Sequence, residues 1–356
     1  MRTTELQPVR AAYPGLSDVG PTYLSASRSG PADAQCVRIG GHLIQIRFAT
    51  PGLLPCIMPA FAHLGVDSQA PPELVVHVWD SASTGASAPP MPDVGLDTRV
   101  GAFYFFEADS VRGVFQPGLQ ALTVVDFGAD HAWYFVENPA ALPYWERAAP
   151  IRQILHWWMA TRGHQQVHGG AVGSPDGGVL LVGKPGSGKS TTALISLTTE
   201  LRYAGDDYSM VSLLPRPLVH SLYSSGKVHP ENLPRLPHIT PALWNAGELA
   251  TEKGVVFVDQ HFPDRMIESF PLRAIVLPTI TGKPETRVVE TSRGASLAAL
   301  APSTVFQLHT AGADALRYMA RLVREVPSYV LELGTNVTDV PGVLLQLLDD
   351  LRRAQE

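Results

Sequence analysis

The run GVLLVGKPGSGKSTTALISL, from Gly178 to Leu197, constrains the fold of this chain more than any other stretch. Val179 to Val182 form a short apolar run suited to a buried strand. Gly183, Gly186 and Gly188 follow within six positions, and Ser190 opens a helix-prone segment, 190–200. Strand, glycine-rich loop and helix in direct succession make the βα unit of an α/β sheet. Residues 183–190 also fit the pattern GxxxxGK[ST] at every fixed position. Glycines let a backbone wrap closely around phosphate oxygens with its N–H groups turned inward, and the helix that follows adds partial positive charge. Gly183, Gly186, Ser187, Gly188, Lys189, Ser190 and Thr191 are therefore expected to contact nucleotide phosphates. Lys189 would bridge the terminal phosphates and the Ser190 hydroxyl would ligate Mg²⁺. Lys184, inside the loop, is read as solvated.

Upstream, the chain reads differently. Residues 1–35 are rich in Pro, Gly, Ser and Thr and are expected to form an extended or weakly ordered arm. Short β-prone runs then recur at 43–48, 74–79, 102–108, 121–127 and 132–138, which predicts a mostly antiparallel β-rich domain over 36–143. The segment SASTGASAPPMPDVG, 81–95, reads as a long loop within it. Ile151, Ile154, Leu155, Trp158 and Met159 share one helical face, giving a linking helix within 144–166 that Gly163 stops. The last domain is expected over 167–356. Its strand candidates lie at 178–182, 201–214, 254–259, 272–278 and 328–334, with helices at 312–326 and 341–354.

Composition excludes several classes. Of the 356 residues 45% are hydrophobic and 17% charged, and the net charge is −6, which suits a packed core and argues against nucleic acid as a partner. Two cysteines, Cys36 and Cys56, cannot make a disulfide scaffold and are read as reduced structural thiols. The first residues lack the apolar core of a signal peptide, and no stretch approaches the ~18 apolar residues of a membrane span. The expected setting is the cytoplasm, with no membrane partner. Only five of 27 basic residues are lysines, so each one carries information.

The segment LRYAGDDYSMV places Asp206 and Asp207 17 and 18 residues after Lys189. That interval holds one helix and one returning strand, so the acids should reach the same sheet edge as the loop. One carboxylate there can stabilise Mg²⁺ and the other can accept a proton from an attacking hydroxyl. Strand alternation points the two to opposite sides, which leaves a structural role open for one of them. His168 would join them if 168–182 folds as a hairpin about GSPDGG, 173–178. Its competing role is a satisfied structural histidine. Lys227 could add positive charge for phosphoryl transfer or could be a solvated surface lysine. His164 and His168 are not aligned as metal ligands, because Gly163 ends the helix; no transition-metal site is expected.

His168-Gly169-Gly170-Ala171-Val172, the loop at 183–190 and Ala204-Gly205-Asp206-Asp207 resemble, in order and spacing, the core of the HPr kinase/phosphorylase family. The strong match covers 167–211. ATRGHQQVH, 160–168, resembles the junction seen in HPr kinase-like proteins of peptide natural-product pathways. The resemblance implies a PEP carboxykinase/HPr kinase-like P-loop core in an α/β fold, behind an N-terminal β-rich domain. It implies an ATP- and Mg²⁺-dependent kinase acting on a hydroxyl, foremost a serine of a peptide or protein, with a small hydroxylated metabolite as second choice. Asp206 would be the base, Asp207 with Ser190 the Mg²⁺ ligands, His168 the supporting histidine, and Lys189 and Lys227 the phosphate contacts. A homo-oligomer and the reverse, phosphate-driven reaction are compatible with it. The Glu-Val-Arg-Gly segment of true HPr kinases is absent; LYSSGKVHPENLPRLP, 222–237, stands there instead, which removes the basis for expecting HPr as acceptor or a ring-shaped hexamer. The rival reading is a nucleotide-gated regulatory module.

Overall fold

The structure, a computed structural model, describes residues 16–30, 32–91, 103–308 and 310–354. The chain divides into two compact units. One comprises residues up to 58 together with 65–158; the other comprises 59–64 and everything from Met159 onward.

The first unit carries a seven-stranded sheet. Its strands are β1 (Asp33–Ile39), β2 (His42–Phe48), β3 (Leu74–Asp80), β4 (Tyr104–Ala108), β5 (Val111–Gln116), β6 (Ala121–Asp126) and β7 (His131–Val136), in the order β1-β2-β3-β7-β6-β5-β4. The expectation of a mostly antiparallel sheet needs correction at its centre. Strand β3 runs parallel to both β2 and β7. The 25-residue connection from β2 to β3, with its short helical turns at 51–64, is long enough for a parallel crossover. All seven residues of β3 are buried, as a central strand covered on both faces requires.

The expected arm is also corrected. Leu16–Ala26 forms helix α1, whose Val19, Tyr23 and Ala26 join the aromatic core of this unit with Trp79 and Phe135. Their spacing of four and three residues is helical, but Gly20 and Pro21 between them lower the propensity and conceal the period. Residues 1–15 lie outside the described residues. Within the expected 81–95 loop, Ser81–Thr84 turns into a short helix capped by Asp80, whose Oδ1 accepts from the Ser83 N–H at 2.6 Å. Residues 92–95 lie outside the described part. The expected linking helix is two helices, Tyr144–Ala148 and α2 (Arg152–Ala160), and the chain is already in a strand by His164.

The second unit is built on a nine-stranded mixed sheet. Strands β8 (His164–His168), β9 (Gly170–Ser174), β10 (Gly177–Leu181), β11 (Arg202–Gly205), β12 (Tyr208–Ser212), β13 (Leu218–His220) and β16 (Ser269–Ile280) run in the order β11-β9-β10-β16-β13-β12-β8. Strand β18 (Ser328–Leu333) lies parallel to β16 and pairs with β17 (Arg287–Glu290). A separate ribbon joins β14 (Ser225–Val228) to β15 (Gly254–Phe257). The expected hairpin is present: β9 and β10 pair antiparallel, with Ser174 opposite Gly177 and a two-residue turn between them.

Three longer helices follow the sheet's strands: α4 (Arg293–Gln307), α5 (Gly312–Glu325) and α6 (Val340–Arg353), while the short α3 (Lys189–Ile195) follows the glycine loop. Helix α3 is shorter than the sequence suggests, passing into a 3₁₀ turn at Ser196–Thr198. Its Leu194 and Ile195 pack with Val179, Leu181, Tyr203, Val276 and Leu344 in one apolar core. Burying each such aliphatic side chain stabilises the unit by roughly 1.5–3 kcal/mol. This core fixes the ends of β10 and α3, and so the loop between them. Among the described residues no helix is long and apolar enough to cross a membrane.

Candidate functional site

Val182 N–H still donates to the Val276 carbonyl at 2.9 Å, so the chain turns only at Gly183. Gly183, Gly186 and Gly188 have φ of +146°, +79° and +107°, values that L side chains avoid. At Gly188 the packing is equally strict: a Cβ there would lie 2.4 Å from Leu333 Cδ1. The Ser187 N–H closes the turn on the Lys184 carbonyl at 3.2 Å. Lys189 is buried, and its Nζ donates to the carbonyls of Gly183, at 2.8 Å, and Lys184, at 3.2 Å. Burial pushes its pKa down, and the charges of Asp206 and Asp207 push it back up. Lys184 itself is exposed.

Asp206 and Asp207 occupy the bend between β11 and β12. A double glycine holds this bend in place. Gly169 N–H donates to the Asp207 carbonyl at 3.0 Å, and the Ser209 hydroxyl donates to the Gly169 carbonyl at 2.9 Å. A Cβ on Gly170 would stand 3.1 Å from the Asp206 carbonyl oxygen, so a side chain there would push the acid bend away by a few tenths of an ångström.

The two carboxylates have opposite electrostatic fates. Asp206 is 2% exposed. Its Oδ2 accepts from the Lys227 backbone N–H at 3.0 Å, and its Oδ1 is buried with no hydrogen-bond partner. Burial, then the charge of Asp207, push its pKa up to about 6, against the opposing pull of the Lys227 N–H and the Ser190 hydroxyl. Asp207 keeps 27% of its side chain exposed and pairs through Oδ2 with the Lys227 ammonium. Burial alone would raise its pKa too, but the charge of Lys227, followed by that of His168, overrides this and holds the carboxyl well below the usual range. His168 Nε2 lies 3.9 Å from Asp207 Oδ1.

Lys227 reaches the pair because of the β14–β15 ribbon. It sits opposite Val255 in that ladder and is 8% exposed, so it is not the solvated surface lysine that was one sequence reading. Tyr203, at the start of the acid bend, donates its hydroxyl to the Ser225 carbonyl at 2.7 Å and ties the ribbon to the sheet. The charge of Lys253, just before β15, also acts on Lys189 and Asp207. Three of the five lysines thus act on one pair of acids, and the scarcity of lysine was the available signal for the two outside the loop.

The structure brings together Lys189, Ser190, Asp206, Asp207, Lys227 and His168. Ser190 and Thr191 are half-buried on the first turn of α3; the Ser190 hydroxyl acts on Asp206, while Asp207 is engaged by Lys227. Ser187 is buried with its Oγ facing Gly183 and without a partner. His164 turns elsewhere, its ring 5.3 Å from that of His220. Among the described residues no cluster of three His, Cys, Asp or Glu is arranged to hold a metal ion. Sequence reasoning missed helix α4, whose Thr304 hydroxyl accepts from the His168 N–H at 3.1 Å. Ser292, the N-cap, whose hydroxyl accepts from the Ala295 N–H, was a local signal for it. A cavity of about 760 Å³ lies between α4, the end of β16 and the loop.

No family model matches the chain, and no curated protein matches it. Among solved structures, the Hpr(Ser) kinase/phosphatase from Coxiella burnetii is similar at 13% identity and a TM-score of 0.29, over 54% of this chain and 97% of that one. The chemistry of the site is therefore read from its own atoms.

Proposed function

We propose that this protein is an ATP- and Mg²⁺-dependent kinase that phosphorylates a hydroxyl, foremost a serine of a peptide or protein. The observation that carries this reading is the pair of adjacent carboxylates, Asp206 buried and Asp207 half-buried and paired with Lys227, beside a glycine loop with a buried lysine. A switch or an ATPase needs acid oxygens for a metal. A kinase needs in addition a base that can titrate near the working pH. Asp206 suits that second task.

The residues suit the groups they would serve. The positive-φ glycines leave the loop backbone free of side chains, and Lys189 supplies charge beneath it. Hydroxyl and carboxylate oxygens form the donor set that a hard cation takes. Ser190 would offer Mg²⁺ its hydroxyl, and Asp207 the carboxylate oxygen that Lys227 does not hold. Bound there, the ion would neutralise phosphate charge. The orphaned Asp206 Oδ1 is the atom for the acceptor's proton. As that proton leaves, the acceptor oxygen bonds to the terminal phosphorus and the bond to ADP breaks. Lys189 and Lys227 follow the charge moved by the transfer. His168 orients Asp207 from 3.9 Å.

The test uses γ-labelled ATP with a pool of serine peptides and, separately, a pool of small polyols. Label should pass to a peptide in the wild type. It should be lost in Asp206→Asn, which should still bind nucleotide. ADP formed at one rate with or without either pool, with no labelled product, would overturn the kinase reading in favour of a nucleotide-gated module or an ATPase. Label in the polyols alone would reassign the acceptor to a small metabolite.

A further inference from the structure

Three lysines act on the acid pair, and two of them are already engaged by the protein. The Lys189 ammonium donates to the carbonyls of Gly183 and Lys184, and the Lys227 ammonium pairs with Asp207. Lys253 is different. It is half-buried, and among the described residues no hydrogen bond or ion pair engages its ammonium. Its backbone, in contrast, is clamped. The buried Asn245 donates from Nδ2 to the Lys253 carbonyl at 2.9 Å and accepts from the Val255 N–H at 2.8 Å. Both bonds use one edge of an extended run, so the side chains of residues 253 and 255 leave on one face. Val255 lies opposite Lys227 in the β14–β15 ladder, and residues opposite each other share a face as well. Lys253 is therefore the diagonal neighbour of Lys227, roughly 7–8 Å away, a gap that two lysine side chains can close on one anion.

We propose that the Lys253 ammonium contacts the γ-phosphoryl group of the bound nucleotide, and so distinguishes ATP from ADP and steadies that group during transfer. The inference rests on the proposed nucleotide site and adds to it the residue that recognises the terminal phosphate. In that reading the acid pair marks the terminal phosphorus, and Lys253 flanks the pair on the ribbon face that already delivers Lys227 to Asp207. Its charge reaches both Asp207 and Lys189, so it stands toward the loop. Phosphoryl transfer spreads negative charge over three equatorial oxygens. An ammonium already bonded within the protein must share or break a bond to meet them, whereas Lys253 gives up only water. A buried asparagine that fixes the backbone of a residue whose side chain binds nothing in the protein suits a group held ready for a ligand.

The experiment titrates wild type, Lys253→Met and Lys253→Arg by calorimetry, with Mg²⁺ and either ADP or the non-hydrolysable β,γ-imido analogue of ATP. Transfer from labelled ATP to the serine-peptide pool is followed separately, so binding and chemistry fail independently. Lys253→Met should bind the imido analogue about tenfold or more weakly and bind ADP within about twofold of wild type. Lys253→Arg should recover most of the loss. Transfer at saturating ATP should fall by about tenfold or more in the Met variant. Its melting temperature should stay at the wild-type value, because the ammonium makes no bond in the protein. An equal loss for ADP and the analogue would overturn the inference and assign Lys253 to the inner phosphates or to the fold. Unchanged affinity for both would overturn it too and leave Lys253 a surface lysine. A loss confined to the analogue, with no label passing to any acceptor, would sink the kinase and keep the γ-phosphate contact.

Discussion

Lys227 holds Asp206 with its backbone, donating its N–H to Oδ2 at 3.0 Å. The same residue's ammonium pairs with the neighbouring Asp207. One position on the β14–β15 ribbon thus sets the state of both acids. It keeps Asp207 charged, and that charge helps to push Asp206 toward a titration near neutrality.

Lys227→Met keeps the backbone N–H and removes the ammonium. Asp207 is then left partly buried without its partner. The loss of stability should be about 1–3 kcal/mol, below the roughly 3–5 kcal/mol of a fully buried pair because Asp207 is 27% exposed. The pKa values of both acids should rise, moving the acid limb of the pH–rate profile upward. Thermal melts and a pH–rate profile check the two effects.

The wild-type rate should itself report Asp206. A base works in its ionised form, so transfer should increase with pH through about 6 and level off above it. A profile flat between pH 5 and 8 would contradict this.

Asp206→Asn should separate stability from function. The folded pKa of Asp206 is raised above its unfolded value, so the folded state binds the extra proton. Its contribution favours folding at low pH and is lost as pH rises through about 6. At pH 8 the buried charge costs roughly 2–3 kcal/mol, and the amide removes it while still accepting from the Lys227 N–H. The variant should melt several degrees higher than wild type at pH 8 and close to wild type at pH 4. Transfer should fall by about two to four orders of magnitude.

Two glycines in the loop should differ. Gly188→Ala meets both a φ of +107° and Leu333, and should cost about 1–3 kcal/mol and weaken nucleotide binding. Gly186→Ala has a φ of +79° but nothing within 4 Å of its Cβ, so its cost should be about 1 kcal/mol. Melting temperatures and titration with a fluorescent ATP analogue compare them.

Lys189→Ala should weaken nucleotide binding by about tenfold and lower transfer by about a hundredfold or more, since the buried ammonium is the charge nearest the loop carbonyls. Undiminished transfer would remove the loop from the mechanism.

What could be read in advance was local. The strand–loop–helix run, the β9–β10 hairpin and the spacing of the acid pair each lie within one short stretch, where glycine and alternation speak directly. The parallel placement of β3 between β2 and β7 could not be read, because it depends on which distant strands meet. Helices α1 and α4 were hidden by internal proline, Pro21 and Pro302, although their apolar spacing was helical. Lys227 stood out as a rare lysine, but its burial comes from the ribbon that brings β14 against Asp206, a long-range pairing with Val255.

The most direct measurement is a ³¹P NMR time course of the wild type with ATP, Mg²⁺ and a pool of serine peptides. A phosphomonoester resonance should grow in step with ADP and be absent in Asp206→Asn. Inorganic phosphate growing in its place, at a rate unchanged when the peptide is left out, would contradict the assignment of Asp206 as the acceptor of a substrate's proton.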